Sequence, residues 1–569
     1  MTIRPKRAAL RYPLKFDIPE MPAFHPFLST SARFPQNVAF LFHEALLTYK
    51  DWEKLSRRFA SRLSAWIKKG DRIAIYMPNC PQFAIAYMGI LMAGGVFVSC
   101  NPLLTPYELD YQLRDSSTKL IITTKDLLPK VKECQSLSSL ERIIVAQPRN
   151  ECTCLLTTTE PSVMQGESKD IIPFCEMVKN GDNFHPVEID PASDNAHIMY
   201  TGGTTGIPKG VVHTHRNVAA VTLSCMITTT GMTPKTDERG YLYIENDPRD
   251  LTPDWEFPIR IGRDRALIVA PWTHVTGLIT YFHQPIALGL KMFVMDRFDT
   301  AEFLRRLEEW DINWAGGSPT IISYLVNHPN FKTTDLSSIR VWNSGGSSLP
   351  EEHYKRFNER IQGVIVEGYG LTESVAPIFR NPANRRGKTK IGSIGIAFPN
   401  VETKVVDELG NELPYGQVGE LVLKGPQISP GYLNRPDESK NTFREGWLFT
   451  GDLARMDQDG YVFIVDRKKE VIIYKSYNVY PRELEEIICQ HPAVHSCAVI
   501  GKKDMDTGEL PVAFVSCKKE HVDPEEIRHF VNQRVAPYKK VREIHLMDEL
   551  PLSGSGKILK RDLHKFLED

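Results

Sequence analysis

Neither sign of charge dominates this sequence. Across 569 residues, 69 Lys and Arg face 70 Asp and Glu, giving a net charge of −1 and a pI near 7.0. No global field therefore draws the chain to nucleic acid or to an anionic surface. Cysteine is sparse: ten are scattered, and Cys152-Thr153-Cys154 is the one close pair. A lone C-x-C with no second half at metal spacing reads as reduced thiols, not as a zinc site or a disulfide framework. Long apolar runs are missing as well. The most apolar stretch, Phe83 to Val98, is broken by Gly89 and Gly94-Gly95, so it reads as a buried helix, a turn and a strand rather than a membrane span. The basic residues Arg4, Lys6, Arg7 and Arg11 are followed by no apolar signal core, and Phe566-Leu567-Glu568-Asp569 is not a peroxisomal address. There is no internal repeat. The expectation is a cytoplasmic protein, monomer or homodimer, that touches membranes at most peripherally.

What the chain does have is size and alternation. The length predicts roughly three to four domain-sized units. Strand candidates at Arg72–Met77, Leu120–Thr124 and Ile143–Ala146 alternate with helical segments, which argues for an α/β fold with parallel sheets covered by helices. Residues 147–170 read as a polar surface loop. Met226 to Arg260, rich in Asp, Glu and Pro, reads as a solvated surface insertion.

The most informative stretch is Tyr200-Thr201-Gly202-Gly203-Thr204-Thr205-Gly206-Ile207-Pro208-Lys209-Gly210, between two extended runs. Glycines let backbone N–H groups converge on one point, Thr hydroxyls add rotatable donors, and Lys209 adds a cation, the set a polyphosphate needs. The common P-loop is excluded, because Gly210 follows Lys209 where Ser or Thr is required. Further along stand Asn343-Ser344-Gly345-Gly346-Ser347-Ser348, Glu367-Gly368-Tyr369-Gly370-Leu371-Thr372-Glu373, Thr450-Gly451-Asp452, Asp466-Arg467-Lys468-Lys469-Glu470 and Pro551-Leu552-Ser553-Gly554-Ser555-Gly556-Lys557-Ile558. Taken singly, Tyr369 is more often core, Glu373 and the 466–470 run more often solvated charge, Asp452 as often a turn cap as a ligand, and Lys557 an ordinary mobile surface cation. Asp523-Pro524 reads as the N-cap and first residue of a helix.

In order and together, these motifs resemble the adenylate-forming superfamily of acyl-CoA synthetases, adenylation domains and luciferases, over essentially the whole chain. The resemblance implies a large domain over 1–466, built of parallel and mixed sheets covered by helices plus a distorted barrel subdomain. A small mobile α+β domain would follow over 467–569, with the hinge near 466–470. It implies ATP, Mg²⁺ and coenzyme A as cofactor and co-substrates. Thr201–Gly206 and Lys209 would bind phosphates, Gly345, Gly346, Ser347 and Tyr369 would hold adenine, and Glu367, Gly368 and Gly370 would also bind the nucleotide. Thr372 would bond the α-phosphate, Glu373 would ligate Mg²⁺, Asp452 would take the ribose, and Arg467 would contact ribose or phosphate. His274 and Gly345 would line the acyl pocket, Lys557 would serve adenylation, Lys469 would be the pivot, and Lys475, Ser476 and Tyr477 would line the CoA tunnel. The family usually has Ser at Gly202 and Gly at Ser476. The Gly202 variant resembles medium- and long-chain fatty acyl-CoA synthetases. Aryl-CoA ligases of the coumarate or benzoate type are the alternative, and a non-catalytic nucleotide or acyl sensor is a second one from another class.

Overall fold

Arg72–Tyr76, Val96–Cys100 and Leu120–Thr124 are buried along nearly their whole length, which only a parallel sheet covered on both faces permits. They are neighbours in an eight-stranded sheet, with Arg72–Tyr76 parallel to both others. The computed structural model describes residues 12–43, 45–148, 171–179, 184–201, 207–245, 256–347, 349–475, 477–504, 506–518, 522–553 and 557–567. Within them a second, nine-stranded sheet carries Arg265–Ile268, Trp314–Gly317, Val341–Gly345 and Val364–Tyr369 in parallel, and ends in short antiparallel strands at Phe379–Arg380 and Ile396–Ala397. The helix Pro81–Met92 is buried at all twelve positions, as expected of a helix apolar on every side. An antiparallel five-stranded sheet, including Gly419–Lys424, Trp447–Met456 and Val462–Arg467, occupies the place of the expected barrel.

The last sheet uses only residues after Ile472, and with Pro481–Ile488 and Pro524–Asn532 it encloses its own core of Val479, Leu484, Ile488, Val499, Val515, Ile527 and Val531. The Asp523 carboxylate accepts from the Glu525 N–H, the cap its sequence predicts.

The reading of 226–260 as a solvated insertion needs correction at its start. Met226–Thr230 is the last turn of the helix His215–Thr230, and every residue of it is buried. Its threonines are not exposed polar groups: Thr228 and Thr230 donate to the carbonyls of Ser224 and Met226, which satisfies the hydroxyls inside the core. The segment then turns at Gly231 (φ 73°) into a short hairpin, Lys235–Thr236 with Leu242–Tyr243. The 149–170 loop, residues 246–255 and the Cys152–Cys154 pair lie outside the described residues.

Six histidines, His197, His213, His215, His283, His353 and His491, are buried. Burial pushes the pKa of His213, His215 and His353 down to about 4, that of His283 to about 3, and that of His197 well below the ordinary value. Unfolded histidines titrate near ~6.5, so on acidification the unfolded chain binds protons that the folded chain refuses. The stability they contribute is complete above that value and is lost as the pH falls towards 4. Glu367 and Asp466, raised by burial to about 7 and about 6, act in the opposite sense, as do Asp264, Asp452 and Glu486, which burial also raises, but with His274 and His495 also lowered seven histidines outnumber these five carboxylates. Tm should therefore fall steadily between pH 7 and pH 5 in scanning calorimetry. A Tm that held or rose over that interval would show the histidines to be solvated.

Candidate active site

The glycine-threonine stretch is the connection of an antiparallel pair: Asn195–Thr201 and Lys209–Thr214 are in register, with Thr201 opposite Lys209. Residues 202–206 are outside the described set, so the structure fixes the mouth of the loop, Thr201 and Lys209. Beside Lys209 stands Tyr432, whose ring centre lies 5.2 Å from the Lys209 Nζ. Gly431–Tyr432 pairs with Val211–Val212, which brings the tyrosine to the loop. Its hydroxyl donates to Glu373 Oε1 at 2.7 Å. Two further bonds pin the same segment: His213 Nε2 donates to the Thr372 carbonyl at 2.8 Å, and the Ser429 N–H to the Glu373 carbonyl at 2.9 Å. The strand Lys209–Thr214, the Ser429–Tyr432 segment and the Thr372–Glu373 turn are thus one braced unit.

Gly345 lies opposite Gly368 on neighbouring strands, and a Cβ on Gly345 would stand 3.1 Å from the Gly368 carbonyl oxygen. Gly346 has φ +95°, a conformation that favours glycine. After it Ser347 is exposed. A Cβ on Gly370 would fall 2.7 Å from that of Ala376, which closes the turn after Tyr369. Glu367 is buried and accepts from the Leu349 N–H at 3.3 Å, so its carboxylate holds the two loops at one height.

Asp452 and Arg467 are register partners, with Arg467 Nε 2.8 Å from Asp452 Oδ1. The Tyr369 hydroxyl donates to the other carboxylate oxygen, Oδ2. Burial pushes the Asp452 pKa up and Arg467 opposes it. A carboxylate has about four acceptor positions, so Asp452 retains capacity for a diol while it is held by both neighbours.

Lys557 reaches this site from the far end of the chain. Ser553 and Lys557 bond across their loop, Ser553 N–H to the Lys557 carbonyl at 2.7 Å and Lys557 N–H to the Ser553 hydroxyl at 3.1 Å. The side chain extends over Gly346, with Cε 3.2 Å from where a Cβ would be. Burial and the Arg467 charge lower the Lys557 pKa, while Asp452 and Glu373 oppose the shift. The Lys557 charge also acts on His274: burial and that charge push its pKa down to about 3, so the ring is neutral and can accept or donate without adding charge.

The structure thus gathers Lys209, His274, Gly345, Gly346, Glu367, Tyr369, Thr372, Glu373, Asp452, Arg467 and Lys557. Lys475 and Tyr477 are elsewhere. They flank a tight turn between Ile472–Tyr474 and Tyr477–Val479, where Tyr477 is exposed and stacks on Tyr538 at 4.7 Å. Ser476 is outside the described residues. Sequence reasoning missed Tyr432, His213 and Ser429. The Gly-Tyr-Leu around Tyr432 is visible in the sequence, but a lone tyrosine carries no chemistry until a partner is known.

Comparison with known proteins bears on the same residues. Residues 27–433 match the AMP-binding enzyme family and 483–557 its C-terminal domain. A long-chain-fatty-acid–CoA ligase of Bacillus subtilis is 37% identical over 547 residues, 94% of this chain and 92% of that protein. A 4-coumarate–CoA ligase of Oryza sativa is 32% identical, over 91% of this chain and 87% of its own. An anthranilate CoA ligase solved with anthranoyl-AMP superposes with a TM-score of 0.83 at 22% identity, covering 97% of this chain and 98% of its own, a likeness of fold. By family match and by near full-length identity, the chain belongs to the AMP-binding enzyme family, in its acyl-CoA ligase branch.

Proposed function

We propose that this enzyme activates fatty acids with ATP and transfers the acyl group to coenzyme A. The observation that carries the reading is the position of Lys557 over Gly346, within the electrostatic reach of His274, Glu373, Asp452 and Arg467. A substrate carboxylate at His274 and Gly345 would lie beside an α-phosphate at Thr372. One carboxylate oxygen attacks the α-phosphorus in line, the bond to pyrophosphate breaks, and an acyl-adenylate remains. The positive ends of Lys557 and Lys209 neutralise charge gathering on phosphorus; positioning does the rest. Glu373 suits Mg²⁺, which takes one or two protein carboxylates beside phosphates. Tyr432 occupies Oε1, and Oε2 has no protein partner among the described residues. The ion when bound would supply further neutralisation of the triphosphate. In the second step the CoA thiolate attacks the acyl carbonyl, and AMP leaves.

Lys557 and the Tyr474–Tyr477 turn cannot both serve the site in one arrangement. We assign the boundary to residue 466 and the pivot to Lys469, so that rotation of 467–569 withdraws the first and delivers Lys475, Ser476 and Tyr477 to line the CoA path.

The fatty chain is inferred from the Gly202 variant and the Bacillus subtilis relative. CoA-dependent AMP release over acetate, octanoate, palmitate, benzoate and coumarate tests it. A peak with octanoate or palmitate is expected, a peak with an aromatic acid would replace the reading, and silence throughout would favour a sensor. Tyr432→Phe should lower the rate of pyrophosphate exchange about tenfold without changing Tm, because it removes one hydrogen bond to a charged group. An unchanged rate would leave Glu373 positioned by other contacts.

A further inference from the structure

Arg380 is 3% exposed, yet no carboxylate lies within ion-pair distance of it among the described residues. It sits on Phe379–Arg380, directly opposite Gly368 of the adenine loop. Its hydrogen bonds all go to neutral groups: Nη1 to the Thr229 hydroxyl at 2.8 Å and the Thr228 hydroxyl at 3.2 Å, Nη2 to Asn343 Oδ1 at 3.4 Å. The nearest ionisable neighbours are the Tyr12 phenol and the Cys225 thiol, which burial pushes up to about 12. Neither supplies an anion at neutral pH. A guanidinium taken out of water costs several kcal/mol unless it is paired, and here no described group pairs it.

The unused donors have a definite geometry. Of the five N–H groups of a guanidinium, the three bonds leave Nε–H and one N–H of Nη2 free of described partners. These two lie side by side on one edge, the fork that takes a carboxylate through two parallel hydrogen bonds. The surroundings lead from the reacting centre to this edge. Asn343 stands two residues before Gly345, about 7 Å along the strand. The segment that begins at His274 reaches Arg380 through Gln284, whose amide donates to the same Thr229 hydroxyl at 2.7 Å, and through Tyr281, which donates to the Asn343 carbonyl at 3.1 Å. On the same segment the hydroxyl of Thr280 is buried without a partner among the described residues. An acyl channel for a plain alkyl tail would be apolar here.

The geometry points to Arg380 as the seat of a second carboxylate, so that the acid this enzyme activates is an α,ω-dicarboxylate whose far end pairs with the Nε–Nη2 edge. The inference rests on the acyl-CoA ligase reading and narrows its substrate class. The test compares kcat/KM for CoA-dependent AMP release on diacids and monoacids of equal length, adipate with hexanoate, suberate with octanoate, hexadecanedioate with palmitate. For the wild-type enzyme the diacid should lead by at least about tenfold at one length. In Arg380→Met that ratio should fall on the order of 10²-fold, the scale of losing one partner of a buried charge pair, while the monoacid is used as well or better. Monoacids leading at every length in the wild type, or an unchanged ratio in Arg380→Met, would overturn the assignment. The wild-type ratio decides the matter if the variant does not fold. Should neither series turn over, the ligase reading fails instead. Calorimetric binding of suberate that is tighter than that of octanoate would then still support the Arg380 site, and equal or absent binding would refute it.

Discussion

Lys557→Ala should reduce acid-dependent ATP–pyrophosphate exchange by about 10²–10³-fold, the scale of removing one group aimed at developing charge. The same variant should convert supplied acyl-adenylate and CoA to thioester within a few-fold of the wild-type rate. The asymmetry follows from geometry. Lys557 stands over Gly346, where the proposed reaction brings the attacking carboxylate and the α-phosphate together, and it comes from a loop tied by Ser553–Lys557, Leu559–Pro551 and the Leu552–Ile558 bridge. Once pyrophosphate has left, no polyanion remains there for the ammonium to neutralise. Stopped-flow assays of the separate half-reactions check this, and an equal loss in both would refute the assignment.

Lys469→Pro should show the mirror image. Adenylation is expected within a few-fold of wild type, and thioester formation from bound adenylate should fall by on the order of 10²-fold, because a fixed φ at the pivot removes the torsional freedom that rotation needs. The residues proposed to move make local contacts where they now lie: Tyr477 stacks on Tyr538, and the Lys475 N–H donates to the Thr507 carbonyl, both within the small sheet's own unit. Rapid-quench measurement of the two steps in one turnover is the check. Wild-type rates in both would move the hinge elsewhere.

Much of this arrangement was legible before any coordinates. Strand–helix alternation gave the covered parallel sheets because apolar runs buried on both faces have few other homes. Phe83–Val98 divided at Gly94-Gly95 into helix, turn and strand, with Gly89 inside the helix, and Asp523-Pro524 marked a helix start with its cap. In each case the cause is local, within a few residues of its effect. What was not legible depends on contacts across the chain. Nothing around Arg380 in Ile378-Phe379-Arg380-Asn381-Pro382 reveals that Thr229, 151 residues earlier, holds it in the core. Thr228–Thr230 read as solvated for the same reason. Tyr432 is 59 residues from the Glu373 carboxylate it braces. A buried polar group is identified by its partner, and the partner is set by topology.

The central claim is that the acid is activated as an acyl-adenylate. Its most direct test is a turnover with the substrate carboxylate labelled in both oxygens with ¹⁸O, followed by mass spectrometry of the products. In-line attack on the α-phosphorus leaves one labelled oxygen in AMP and one in the acyl-CoA, with none in pyrophosphate. Label in pyrophosphate, or AMP free of it, would contradict the account.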